Sequence, residues 1–158
     1  RVTGDCPFIS PEIIELLIKN HKKEKSDITM IKKSAVGTYG EVYKVEALRE
    51  IIANIKNTDY SEYLPYYFIN NKERFSMKKV NLPPSLLRNY RITLDYKKDL
   101  LMLNELVNKS GKKAKDLTTK NIFKILDQNP NIVKINSRLK LKYMNKDFQK
   151  KIKNFTKF

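Results

Sequence analysis

The first twelve residues constrain the fold most, because a turn that suits neither a helix nor a strand lies between an apparent strand end and a helix start. They read RVTGDCPFISPE. Residues 1–3 are interpreted as the end of a strand and residues 4–7 as a turn. Ser10 is a favourable N-cap and Pro11 fits the first position of a helix. The pattern therefore predicts that Asp5 lies at the carboxyl end of a strand, just ahead of a helix.

The role of Asp5 has two interpretations. In open α/β sheets, ligands bind outside the carboxyl ends of the strands, which favours a binding carboxylate. An Asp in a turn also hydrogen-bonds its own backbone, and local chemistry alone favours this capping role. The first twelve residues do not decide between the two.

A second stretch, RITLDYKKDLL, repeats the same order of elements. Residues 91–94 are predicted to form a strand, Asp95 ends it, and a helix is predicted over 97–109. If both strands lie in one sheet and point the same way, Asp5 and Asp95 emerge at the same edge. Mg²⁺ prefers oxygen ligands and is often bound by one or two carboxylates together with substrate phosphates. The pair is therefore a candidate Mg²⁺ site beside a nucleotide.

Hydrophobic patterns typical of helices and of strands follow one another along the chain, which predicts an α/β fold. Helices are predicted over 11–24, 46–56, 97–109, about 119–127 and 145–155. Strands are predicted over 27–31, 41–45 and 74–80, and short extended or irregular pieces over 132–135 and 139–143. In the loop before residue 41, Gly37 and Gly40 permit backbone conformations closed to other residues, but their spacing is not that of a phosphate-binding P-loop.

Residues 59–71 carry a dense group of aromatic side chains. Two interpretations stand side by side: core packing with the hydroxyls at the rim, or the wall of a pocket for a polar ligand. Glu62 is the polar group that would serve the second. The members that would share one face of a helix are Tyr60, Tyr63, Tyr67 and Phe68.

The composition limits the classes of protein. An apolar fraction of 41% supports a core, and no apolar run approaches the roughly 20 residues that span a membrane. The single cysteine, Cys6, cannot form an internal disulfide, which favours the cytoplasm. The net charge of +16 could serve a polyanion, but lysine far outnumbers arginine, whereas phosphate and base recognition favour arginine. We therefore expect neither nucleic-acid binding nor membrane insertion.

Three segments together resemble a known family. RVTGDCPFISPE is similar to the central motif of the bacterial cytidylyltransferases that activate acidic sugars, which include acylneuraminate, 3-deoxy-manno-octulosonate and spore-coat-polysaccharide-type enzymes. RITLDYKKDL resembles their second motif, a strand that ends in Asp followed by a short turn and Asp-Leu. EVYKVEAL resembles the segment between the two motifs. The order and spacing of the three agree, and the resemblance covers residues 1–107.

The resemblance implies a chemistry. In that family a sugar hydroxyl attacks the α-phosphate of CTP, pyrophosphate leaves, and a CMP-sugar forms for surface glycan synthesis. Mg²⁺ neutralises the phosphate charge and aligns the reactants. The positions that match Asp5 and Asp95 are catalytic and bind the metal. We also expect substrate binding by Arg91, Tyr39, Glu41, Glu62, Tyr63 and Tyr67, of which Tyr63 and Tyr67 stand at positions of the family's sugar-binding segment.

The fold that the resemblance implies is α/β, with a Rossmann-like, mainly parallel sheet of the nucleotide-sugar transferase type and a homodimeric assembly. Residues 1–109 would be the C-terminal part of that domain, and residues 110–158 a helical, basic extension. The family's Gly- and Arg/Lys-containing loop, which grips the triphosphate, has no counterpart in these residues. We therefore expect an upstream segment, and we expect this N-terminally truncated piece to be inactive alone.

Two positions depart from the family's pattern. The family's sugar-binding segment has a His four residues before a Tyr, and here Tyr63 stands at the His position. Spore-coat-type relatives often carry an Asp two residues before the position of Glu41, where this chain has Tyr39. The identity of the sugar is therefore open. The alternative functions are a non-catalytic sugar- or partner-binding module of the same fold and a basic polyanion-binding protein.

Overall fold

The protein has an α/β fold built on a small mixed sheet. The computed structural model describes residues 1–55, 58–140 and 145–158. Within these ranges the strands are β1 Ile28–Ile31, β2 Val42–Tyr43 and β3 Met77–Val80. Their spatial order is β2-β1-β3, and β1 runs antiparallel to β2 and parallel to β3. The α/β class is confirmed, whereas the larger, mainly parallel sheet stays a prediction.

Helices make up much of the described chain. They are α1 Pro11–Glu24, α2 Val45–Asn54, α3 Pro65–Ile69, α4 Lys97–Ser110, α5 Thr119–Gln128, α6 Pro130–Lys134 and α7 Lys146–Thr156. The start of α1 is as predicted, since the Ser10 hydroxyl accepts the Ile13 amide at 3.4 Å and Pro11 takes the first helical position. None of these helices is long and apolar enough to cross a bilayer.

The extended piece predicted at 132–135 is wrong, because residues up to Lys134 belong to α6. Pro130 occupies the first position of this short helix, where its missing N–H and restricted φ cost nothing. The predicted piece at 139–143 lies mostly outside the described residues, as does the last residue of the helix predicted over 46–56.

The central strand β1 carries helices on both faces of the sheet. Ile28 and Met30 pack into a cluster with residues of α2 and α3. Ile31, on the opposite face, packs with Ile13 and Leu17 of α1. Because successive side chains of a strand point to opposite faces, β1 contributes to two separate apolar clusters.

A third cluster joins the loops to the C-terminal helices. Ala35 and Ile92, from loop segments, pack with Leu103 of α4, and Phe123 and Leu126 of α5 join them. Residues on both sides of position 109 therefore share one core. The division into 1–109 and 110–158 stays a prediction.

The strands predicted to end at Asp5 and Asp95 are not formed within the described part of the chain. Residues 1–3 are irregular, and Arg91 makes one isolated parallel bridge, to Val36. Single backbone bonds replace a ladder: the Leu94 amide donates to the Asp5 carbonyl at 2.8 Å. Individual hydrogen bonds between the loops still bring the segments that carry Asp5 and Asp95 into contact.

Gly37 allows the loop after β1 to approach the segment that carries Ile92. Its φ is +94°, and a Cβ there would lie 2.6 Å from the Ile92 carbonyl carbon and 2.7 Å from the Thr93 nitrogen. Because both neighbours are backbone atoms, they cannot move aside as a flexible side chain can. The glycine predicted to give this loop its freedom is required by a close approach as well as by its positive φ.

We expect Gly37→Ala to lower the free energy of unfolding by roughly 2–4 kcal/mol, because it combines left-handed backbone strain with overpacking. Urea unfolding followed by circular dichroism measures the effect. Gly4→Ala is the matched control, since a Cβ at Gly4 meets nothing within 4 Å, and we expect a change within about 0.5 kcal/mol. Gly111→Ala separates backbone strain from overpacking, because Gly111 has a φ of +63° but a Cβ there would meet no atom within 4 Å. Equal effects at Gly37 and Gly111 would contradict the role of the close approach.

Candidate active site

A cavity of about 700 Å³ opens where the loops meet the edge of the sheet. Five segments line it: the first residues of the chain, the end of β1, the loop after β1, the region around α3, and the segment that precedes α4. The cavity brings together most of the residues singled out in the sequence. Those that line it are Asp5, Asp95, Tyr39, Glu41, Glu62 and Tyr63.

Asp5 projects an ionised carboxylate toward the cavity. The Thr93 hydroxyl donates to its Oδ2 at 3.2 Å, and the Cys6 thiol donates weakly to Oδ1 at 3.7 Å. Burial raises the pKa of Asp5, but hydrogen bonds from Thr3, Thr93 and Cys6 outweigh it and leave the pKa below its usual value. At neutral pH this side chain is therefore an anion, as a metal ligand must be.

Asp95 lies on the same cavity beside Asp5. The bond between the Leu94 amide and the Asp5 carbonyl places the two segments in contact. The Asp95 side chain is about one-third exposed, and its Oδ2 accepts from Arg91 Nη2 at 2.5 Å. The second carboxylate is thus both accessible and oriented by a cation behind it.

Asp99 is a fully buried carboxylate that organises the segment carrying Asp95. Its oxygens accept from Arg91 Nε at 2.8 Å and Nη2 at 2.9 Å, and from the backbone amides of Asp95 at 3.1 Å and Tyr96 at 3.0 Å. Asn136 adds a fifth bond, at 2.8 Å. Burial raises the pKa of Asp99, but the hydrogen bonds and the Arg91 charge lower it below its usual value.

Sequence reasoning missed the roles of Asp99 and Asn136. A signal existed for Asp99, since an acidic residue at the third position of a helix commonly accepts backbone amides at the N-terminus. No sequence signal pointed to Asn136, because it lies 45 residues from Arg91. The Asn136 side-chain amide donates to the Arg91 carbonyl at 3.0 Å. Only tertiary packing brings Asn136 under the site.

Arg91, expected to bind substrate, is not among the residues that line the cavity. Its guanidinium is buried and engaged by Asp95 and Asp99. Its Nη1 is buried without a hydrogen-bond partner in the described residues. The contacts are those of a positioning residue behind Asp95, and direct substrate binding by Arg91 stays a prediction.

Tyr39 and Glu41 lie on the wall that the loop after β1 supplies. Burial, and then the Glu41 charge, raise the pKa of Tyr39. Glu41 Oε2 accepts from Arg1 Nη1 at 3.3 Å and from the Tyr43 hydroxyl at 3.3 Å. Arg1 Nη2 also donates to the Glu62 carbonyl at 2.9 Å, which links two walls of the cavity.

The aromatic residues divide between the two interpretations offered by the sequence. Tyr63 lines the cavity, where burial and then the neighbouring Glu62 raise its pKa to about 12. Its hydroxyl is therefore protonated at neutral pH. Tyr67, the other expected ligand, is 1% exposed and packs in the core with Phe68, and it does not line the cavity. Its proposed contact with substrate stays untested.

The donor set at the cavity suits a hard divalent cation. No group of three or more His, Cys, Asp or Glu side chains that could hold a metal occurs in the described ranges. Two carboxylates are enough for Mg²⁺, which takes its remaining ligands from water and substrate phosphates. Asp5 and Asp95 are therefore candidate ligands, and the Mg²⁺ site stays a prediction.

A family model described as Cytidylyltransferase matches residues 1–129. The chain belongs to the cytidylyltransferase family. The resemblance read from the three motifs is confirmed. The match ends before α6 and α7, so these helices of the cytidylyltransferase lie beyond the matched region.

Two curated proteins are similar to most of this chain. The spore coat polysaccharide biosynthesis protein SpsF of Bacillus subtilis is 29% identical over 132 residues, which cover 82% of this chain and 55% of SpsF. An uncharacterized protein of Methanocaldococcus jannaschii is 32% identical over 146 residues, which cover 90% of this chain and 58% of that protein. The chain thus spans little more than half the length of these curated relatives.

A solved structure shares the fold. A cytidylyltransferase from Leptospira borgpetersenii superposes with a TM-score of 0.71 at 20% sequence identity. The match covers 89% of this chain and 59% of the other. The small mixed sheet and its helices therefore correspond to part of a larger cytidylyltransferase fold.

We expect Asp99→Asn to lower the free energy of unfolding by about 3–5 kcal/mol, because it removes the fully buried charged partner of Arg91 and leaves only the partly exposed Asp95. Asp127→Asn is the control: Asp127 pairs with Arg88, but both side chains are roughly one-third exposed, so we expect at most about 1 kcal/mol. Chemical denaturation of both variants measures the difference. Equal losses would show that the Arg91–Asp99 pair has no special structural role.

Proposed function

We propose that the protein is a Mg²⁺-dependent nucleotidyltransferase that transfers CMP from CTP to an acidic sugar and forms a CMP-sugar for surface glycan synthesis. The observation that carries the proposal is that Asp5 and Asp95, predicted from two separate motifs, line one cavity. Membership of the cytidylyltransferase family supports the reaction class. The name of SpsF supports a role in polysaccharide synthesis.

Asp5 and Asp95 are the residues that would hold Mg²⁺. When bound, the metal supplies charge neutralisation at the phosphates and alignment of the reacting groups. The protein's own task is then positioning. Thr93 and Cys6 orient Asp5, while Arg91 orients Asp95.

Glu62, Tyr63, Tyr39 and Glu41 are the proposed sugar-side residues. The carboxylates accept hydrogen bonds from sugar hydroxyls, and the protonated tyrosines donate or accept them. Tyr63 and Glu62 line the cavity on the wall near α3, and Asp95 lines it on the segment that precedes α4. Tyr63 stands at the position of the family's His, so we expect the choice of sugar to depend on this wall.

The whole enzyme, in this proposal, contains more than these residues. The small mixed sheet would be part of a Rossmann-like, mainly parallel sheet, and a preceding segment would supply the loop that grips the triphosphate. The chain spans little more than half the length of its curated relatives, so the activity of the whole protein is part of the proposal. A homodimer in the cytoplasm completes the proposal.

Pyrophosphate release from CTP, measured with a panel of acidic sugars, tests the reaction. The assay uses the full natural protein. We expect Asp5→Asn and Asp95→Asn each to lower kcat about 100-fold or more, since metal-assisted charge stabilisation is worth several kcal/mol. Glu105→Gln, on an exposed face of α4, is the control and should retain activity. Absence of release with every sugar would favour a non-catalytic binding module.

Metal removal gives an independent test. We expect excess EDTA to abolish pyrophosphate release and added Mg²⁺ to restore it. Asp95→Asn should need a higher Mg²⁺ concentration for its residual activity, because one of two carboxylate ligands is lost. The measurement is a Mg²⁺ titration at fixed CTP for the wild type and the variant. Full activity in EDTA would exclude the proposed role of the two carboxylates.

A further inference from the structure

Helix α7 lies beyond the residues that the family model matches, yet it packs against a wall of the candidate site. Its partner is the region around α3, which supplies Tyr63 and Tyr66 to the cavity. Helix α7, which lies outside the region matched by the family model, therefore packs next to the candidate site.

Two aromatic side chains of α7 contact this wall in different ways. Phe148 meets the ring of Tyr63 edge-on, with centroids 5.3 Å apart and planes at 75°. Phe155, two turns further along, stacks on Tyr60 at 4.7 Å. Tyr63 lines the cavity, whereas Tyr60 does not. Only the Phe148 contact thus reaches a residue of the site directly.

Buried polar contacts hold α7 in this position. Asn71 donates to the Thr156 carbonyl at 2.7 Å, and Asn70 donates to the Thr156 hydroxyl at 2.7 Å. Ile152, Thr156 and Asn71 are fully buried. Because buried polar groups without partners are costly, these bonds specify one placement of the helix on α3.

We propose that α7 belongs to the active site, and that Phe148 is a positioning residue that holds the Tyr63 ring for contact with the sugar. Phe148 packs against the ring of Tyr63, and the rings of Tyr60 and Tyr66 flank it at 6.3 and 6.5 Å. Edge-to-face aromatic pairs have a preferred geometry, so Phe148 restricts the orientations open to Tyr63. The sugar-related part of this inference rests on the proposed function.

The kinetic test compares Phe148→Leu with Phe155→Leu, the same change on the same helix. We expect Phe148→Leu to raise KM for the sugar roughly three- to tenfold, the range that loss of one aromatic pair allows, with kcat and KM for CTP unchanged. Phe155→Leu should leave all three constants unchanged. Equal effects of the two variants, or an equal effect on both substrates, would mean that α7 only stabilises the fold.

A second readout needs no turnover. With 3-fluorotyrosine incorporated, the ¹⁹F resonance of Tyr63, assigned by Tyr63→Phe, should shift or broaden in substrate-free Phe148→Leu and stay in place in Phe155→Leu. An unmoved resonance in Phe148→Leu would overturn the positioning role whether or not the protein is active. A moved resonance in a protein that releases no pyrophosphate would leave the positioning role standing and reject the proposed reaction.

Discussion

The buried ion pair between Arg91 and Asp99 is the interaction on which the candidate site depends. Asp99 is fully buried and accepts five hydrogen bonds, two of them from the backbone that leads into α4. Burying such charges costs free energy that only a nearly complete set of partners offsets. Four of these bonds come from Arg91 and the segment after it, and the fifth comes from a distant residue, Asn136, which reaches the pair from the segment after α6. The pair thereby ties the position of Asp95 to the packing of the C-terminal helices.

The cavity is built from loops that touch at single points. Val36 bridges to Arg91, Gly37 lies against the Ile92 carbonyl, and the Asp5 carbonyl accepts from Leu94. The rigid parts are the layers behind them: the sheet between its helices, and the cluster of α4 and α5. Functional side chains on loops positioned by such layers are common in enzymes. In the cytidylyltransferase this arrangement leaves Asp5 and Asp95 facing one cavity.

Local signals predicted the helices well and the site strands poorly. Helix α1 has the predicted bounds because Ser10 and Pro11 act within one turn. Residues 91–94 have a strand-like pattern, yet they make one isolated bridge, since a strand also needs a partner along its length. Tyr67 shows the same limit: helical spacing grouped it with Tyr63, but the packing of α3 buries one ring and leaves the other on the cavity.

The sequence by itself determined the α/β class and the family, and it singled out Asp5 and Asp95, which line one cavity. Caps, turns and motifs act over a few residues and need no knowledge of the rest of the chain. The tertiary structure alone decided that Arg91 lies behind Asp95, that Asn136 completes the buried pair, and that Phe148 of α7 contacts Tyr63. These contacts join residues 37 or more positions apart, apart from the Arg91–Asp95 pair. Which distant groups meet depends on the packing of whole helices, and no short sequence pattern carries that information.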